Sequence, residues 1–112
     1  MLDRSELEFS NLQQLRSFVK ETLCQPDRLD ANQVRFYESP VKGKKGTYQG
    51  IAFFVHGPRL LQTTSIWLAN ENRILFYSST GIRFLEVFLT SSPVEKHHLK
   101  EYFEKSDLAV AS

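Results

Sequence analysis

The chain has 112 residues, of which 41% are hydrophobic, 24% charged and 12% aromatic, and its formal charge is +1. One domain suits that length, and nine Phe, four Tyr and one Trp supply a core that needs no metal or disulfide. The lone cysteine, Cys24, excludes an intramolecular disulfide and a cysteine-based zinc site, and no run of ~18 apolar residues offers a membrane span.

The opening Met1-Leu2-Asp3-Arg4-Ser5-Glu6-Leu7-Glu8 is acidic and lacks the apolar stretch of a secretory signal. The expectation is a cytoplasmic α+β domain over 1–112, with short frayed ends at 1–4 and 107–112. Leu12, Leu15, Phe18, Val19, Thr22 and Leu23 recur at helical spacing and form one stripe. Ser10-Asn11-Leu12-Gln13 reads as a capping box, Ser5-Glu6-Leu7-Glu8 as an alternative one, and Pro26 ends the helix. A polar connection follows from Asp27 to Asn32.

Five strands come next. The pattern predicts them over Val34–Glu38, Thr47–His56, Leu61–Ala69, Arg73–Ser78 and Ile82–Thr90, rich in β-branched and aromatic residues. A loop from Ser39 to Gly46, Gly57-Pro58, Asn70-Glu71-Asn72 and Ser79-Thr80-Gly81 separate them. Connections this short allow only antiparallel neighbours, which makes a five-stranded meander. Ser92-Pro93-Val94-Glu95 then starts a second helix, whose apolar stripe is Val94, His98, Leu99, Tyr102 and Phe103. The predicted order is α-β-β-β-β-β-α.

Side-chain alternation carries the functional content, because neighbouring strand residues face opposite sides. Ile51, Phe53 and Val55 oppose Tyr48, Ala52, Phe54 and His56; Ile74 and Phe76 oppose Leu75 and Tyr77; Ile82, Phe84 and Phe88 oppose Leu85, Val87 and Leu89. Both faces of the central strands therefore ask for cover. Two helices can supply one face each, or share one face and leave the other to a second subunit or a ligand. The expected function is binding rather than catalysis, as a homodimer or on another protein, with Phe53, Phe54, Trp67, Tyr77 and Phe84 as aromatic candidates for the surface.

Other residues suggest other chemistry. Residues 33–63 hold five basic side chains against Glu38 alone, a balance of +4. Lys42, Lys44 and Lys45 in the first hairpin loop, with Arg35 and Arg59, could follow a phosphate backbone, and Phe36, Tyr37 and Tyr48 could stack on bases. The plainer reading is a solubilising loop tip, since three lysines are few and no nucleic-acid signature motif accompanies them. His56-Gly57-Pro58-Arg59 is the most site-like stretch, offering a proton carrier and an anion clamp at a strand end. Yet no carboxylate is evident to orient His56, and Gly-Pro is an ordinary strand break. Glu86 interrupts the apolar fifth strand, either as a covered carboxylate partnered by Arg73 or Arg83, or as an outward residue near a sheet edge. His97-His98 points about 100° apart on a helix and makes a poor chelate, so no metal is expected. No phosphate-binding loop or nucleophile elbow occurs, and no cofactor is expected.

Overall fold

The computed structural model describes residues 3–94 and 98–104. Its strands are β1 (Asp3–Leu7), β2 (Arg35–Lys42), β3 (Tyr48–His56), β4 (Gln62–Leu68), β5 (Arg73–Tyr77) and β6 (Arg83–Leu89). Helix α1 (Leu12–Cys24) joins β1 to β2, and a helical segment at 99–104 follows β6. Turns of four or five residues link β2 through β6 into the antiparallel meander that the sequence predicts, with a helix on either side of it in the chain. β1 is an addition. It pairs in parallel with β6, giving the order β1-β6-β5-β4-β3-β2. Asp3 and Arg4, expected in a frayed end, are thus register partners of Leu85 and Glu86. The stretch Ser5–Glu8, read as a helix cap, mostly belongs to this strand.

β1 at one edge and β2 at the other dictate where α1 runs. The chain must cross the whole sheet, a width of roughly 24 Å at ~4.8 Å per strand, and thirteen helical residues span about 20 Å of it. The stripe read from the sequence faces the sheet: Leu15, Val19 and Leu23 are buried against Phe53, Trp67 and Phe76 within one apolar cluster. Each such side chain contributes about 1.5–3 kcal/mol when fully buried. Phe18 meets Phe76 edge-on with ring centroids 5.9 Å apart, and Phe9 packs against Phe18 at 5.3 Å. At the far end Thr63 Oγ1 donates to the Leu23 carbonyl, fixing the helix to β4.

Details differ from the sequence reading for local reasons. The N-cap is Asn11, which accepts from Gln14 N–H at 2.9 Å, while Gln14 Oε1 accepts from Ser10 N–H; the box lies one residue later than predicted. β2 runs on to Lys42 and includes Pro40, because an edge strand does not need that N–H. Tyr48, assigned to the face of Ala52 and Phe54, turns to the other side through a register irregularity at the β2–β3 end and stacks on Phe103. A second irregularity, between Phe76 and Tyr77, brings Phe84 against Phe76. Ile82 lies exposed in the turn before β6.

Leu99 and Phe103 of the C-terminal segment join the same apolar cluster as α1, while His98, placed on the stripe, is exposed. The proposed cap region holds a different bond, from Ser92 Oγ to the Val94 carbonyl, and Glu95 to His97 lie outside the described residues, as does the expected frayed tail 107–112. Glu38 ties both helices to β2. It accepts two hydrogen bonds from Arg16, at 2.9 and 3.2 Å, and one from Tyr102 Oη. Both helices therefore lie on one face of the sheet, the choice that sequence patterning left open.

Candidate functional site

The opposite face has no element packed on it among the described residues. Its side chains line up in rows set by the strand register. One row runs Tyr37, Phe54, Thr64, Tyr77; the next runs Ser39, Ala52, Ile66, Leu75, Glu86; a third joins Leu68, Arg73 and Phe88. Apart from Leu75 and Glu86, which are buried, and Tyr37 and Ser39, which are exposed, these residues are half-covered by one another. Tyr37 stacks on Phe54 with ring centroids 5.3 Å apart. Gly50 is a glycine because a Cβ there would sit 1.9 Å from the Trp67 carbonyl oxygen.

Polar groups close this face at two places. At one end His56 Nε2 lies 2.6 Å from Tyr37 Oη and 2.9 Å from Gln62 Oε1, with Arg35 beside it as its strand partner. Arg73 and Glu86 occupy the other corner, joined at 2.6 Å, and Arg73 also reaches Glu71 at 3.0 Å. Glu86 is no edge residue, because β1 covers the outer side of β6. Of the two cationic partners foreseen for it, Arg73 is present.

The candidate catalytic residues do not converge. His56 and Glu86 share a face but stand three strands apart, Glu86 against Arg73 and His56 between Tyr37 and Gln62. Arg59 sits in the β3–β4 turn, and no described cleft is lined by two of the three. The five basic candidates separate into two groups. Arg35 pairs with His56 and Lys42 with Tyr48, seven residues along β2, which is roughly 23 Å. Lys42 Nζ rests 4.9 Å from the Tyr48 ring, and Lys42 and Lys45 line a cleft of about 750 Å3 with Lys100 and Glu104. At the opposite end Arg35 joins Arg28, which sequence reasoning missed because it lies in the turn after α1, far from β2's partners in the chain.

Among the aromatic candidates, Phe53 and Trp67 are fully buried beneath the helices and belong to the core, and Phe84 packs against it. Phe54 and Tyr77 stand on the open face. Phe36 and Tyr48, offered as base-stacking groups, stack instead on Phe53 and Phe103; Tyr37 keeps 44% of its surface exposed. Cys24 is buried at the end of α1, and burial pushes its thiol pKa up against the opposing charge of Lys20. Among the described residues no three His, Cys, Asp or Glu gather as a metal site, and no helix is long and apolar enough to cross a membrane. Compared with protein-family models, curated proteins and solved structures, the chain matches none.

Proposed function

We propose that this domain is a non-enzymatic binding module whose open sheet face docks a second copy of the chain. The observation that carries this reading is the placement of both helices on one face, with Ala52, Phe54, Ile66, Leu68, Leu75 and Tyr77 lying on the other. Five strands about 4.8 Å apart and some 20 Å long give that face a projected area of roughly 400 Å2. The largest apolar patch on a typical monomer is of this size and is often functional. The arrangement also has the anatomy of an interface, an apolar centre with polar groups at its margins. Arg73 and Glu86 meet each other, so burying that corner leaves neither charge without a partner. Two copies of such a face can meet about a twofold axis, with the two sheets about 10 Å apart.

Light scattering on the full chain over a wide concentration range tests the proposal. The expected mass is twice the 13.0 kDa of one chain. Ile66→Glu places a carboxylate at the centre of the face, and it is expected to return the mass to 13.0 kDa with the far-ultraviolet circular dichroism of the parent. A parent protein that stays at 13.0 kDa throughout would overturn the self-association.

A further inference from the structure

A second surface has the makings of a ligand site. Where the turn after α1, the start of β2 and the tip of the β3–β4 hairpin meet, there is a cleft of about 700 Å3. Leu29, Val34 and Leu61 give it an apolar lining, and Arg28 and Arg35 give it positive charge against Asp30 alone. Asp30 Oδ1 already accepts from the Asn32 N–H. Neither arginine has an ion-pair partner among the described residues. Two guanidinium groups with no ion-pair partner, against one carboxylate and beside apolar walls, suit a molecule with an anionic head and an apolar body.

Backbone strain collects at the same place. Four described non-glycine residues have positive φ. Three of them, Arg28 (+54°), Arg59 (+58°) and Leu60 (+63°), belong to the two turns that meet at the cleft. The fourth is Asn72, a residue type that tolerates this region. Leu61 N–H donates to the Pro58 carbonyl, so Arg59 and Leu60 hold the two central positions of a turn with left-handed backbone, where Asn-Gly is the favoured pair. Arg28 likewise holds a helix-end position where glycine is favoured. Leu60 is in addition fully exposed. Residues held in such backbone cluster at active sites and ligand clamps. Gly57 keeps the walls close, since a Cβ there would meet Leu29 Cδ1 at 2.9 Å.

We infer that this cleft binds a small organic oxyanion, a carboxylate or phosphate on an apolar body, with Arg28 and Arg35 holding the charge and Leu29 and Leu61 the body. The lining comes from one chain, so the site does not rest on self-association. Calorimetric titration of the full chain with phenyl phosphate, benzoate and the neutral benzyl alcohol tests it. Saturable binding of at least one anion is expected, with none of the alcohol, and the tighter of the two anions identifies the head group. Arg35→Ala and Arg28→Gly are each expected to weaken that binding at least tenfold. Arg28→Gly keeps or raises the melting temperature, because glycine accepts the backbone there without strain. Lys44→Ala, at the other basic end of the hairpin, is expected to leave the affinity unchanged. No saturation by either anion up to ~10 mM, equal binding of benzyl alcohol, or parental affinity in both arginine variants would overturn the inference.

Discussion

Ser65 stands at the centre of the covered face, between Phe53 and Phe76 in register, fully buried and with no hydrogen-bond partner for its Oγ among the described residues. A buried hydroxyl left without a partner carries its whole desolvation cost, about 1–3 kcal/mol. Ser65→Ala removes the hydroxyl and almost no volume, so it is expected to raise the urea midpoint, by the equivalent of up to about 1 kcal/mol. A fall in the midpoint would show that the hydroxyl is satisfied in solution. Cys24 provides the matching case for charge. Burial raises its thiol pKa above the ordinary value, so the fold favours the neutral thiol over the thiolate. That contribution is whole below the unfolded thiol pKa and is lost as pH rises through the higher folded one. Relative to Cys24→Ala, the stability of the parent is expected to decline as pH rises above the ordinary thiol pKa, measured as paired urea midpoints. Parallel curves would contradict it.

Among the elements, the clasp at Glu38 decides how firmly the C-terminal segment stays on the sheet. Arg16 of α1, Glu38 of β2 and Tyr102 meet there, with the Arg16 guanidinium 5.4 Å from the Tyr102 ring centroid. Side chains of Arg16 and Glu38 retain only 29% and 22% exposure, so solvent screens their pair less than an exposed one. Glu38→Ala is expected to cost about 1–3 kcal/mol. It should also cost less in the Arg16→Ala background, where the Tyr102 bond alone is lost, than in the parent, a non-additivity that a double-mutant cycle reads directly. Simple addition of the two losses would mean that the groups do not act together. The clasp was invisible in the sequence because Glu38 was read as the end of a short strand. The positions of the strands themselves were legible, since alternation and turn residues such as Asn72 mark them. Asn72 does more than turn: its side chain accepts from Trp67 Nε1 and donates to the Leu89 carbonyl.

For the molecule as a whole, the sequence made clear that both faces of the meander are apolar, but not which one the helices cover. Periodicity reports which side chains share a face; it is silent about the route of a connection. That route follows from β1, whose polar sequence Asp3-Arg4-Ser5-Glu6 shows no strand alternation. Once β1 lies beside β6 and β2 at the far edge, α1 has one face to cross and the other stays open. The arginine cleft was hidden for a related reason. Arg28 and Arg35 come from either side of a polar connection, and Leu61 reaches them from a hairpin about 30 residues on. Of its residues, Arg35 and the stretch His56-Gly57-Pro58 beside Arg59 carried a mark in the sequence.

The parallel pairing of β1 with β6 also bears on the order in which the sheet assembles. Leu7 and Leu89 are register partners 82 positions apart (89 − 7), whereas turns of four or five residues close each hairpin of the meander. Closing the longer loop costs about 2.5 kcal/mol more in chain entropy, from the logarithmic dependence on loop length. β1 consequently docks late, after local hairpins have formed. Until it does, the outer edge of β6 presents unpaired amides and carbonyls to any other extended chain. The strand that then seals this edge carries Asp3, Arg4 and Glu6 among its five residues, a composition that resists further pairing. A strand rich in charged residues thus guards the sheet against uncontrolled growth along its edge.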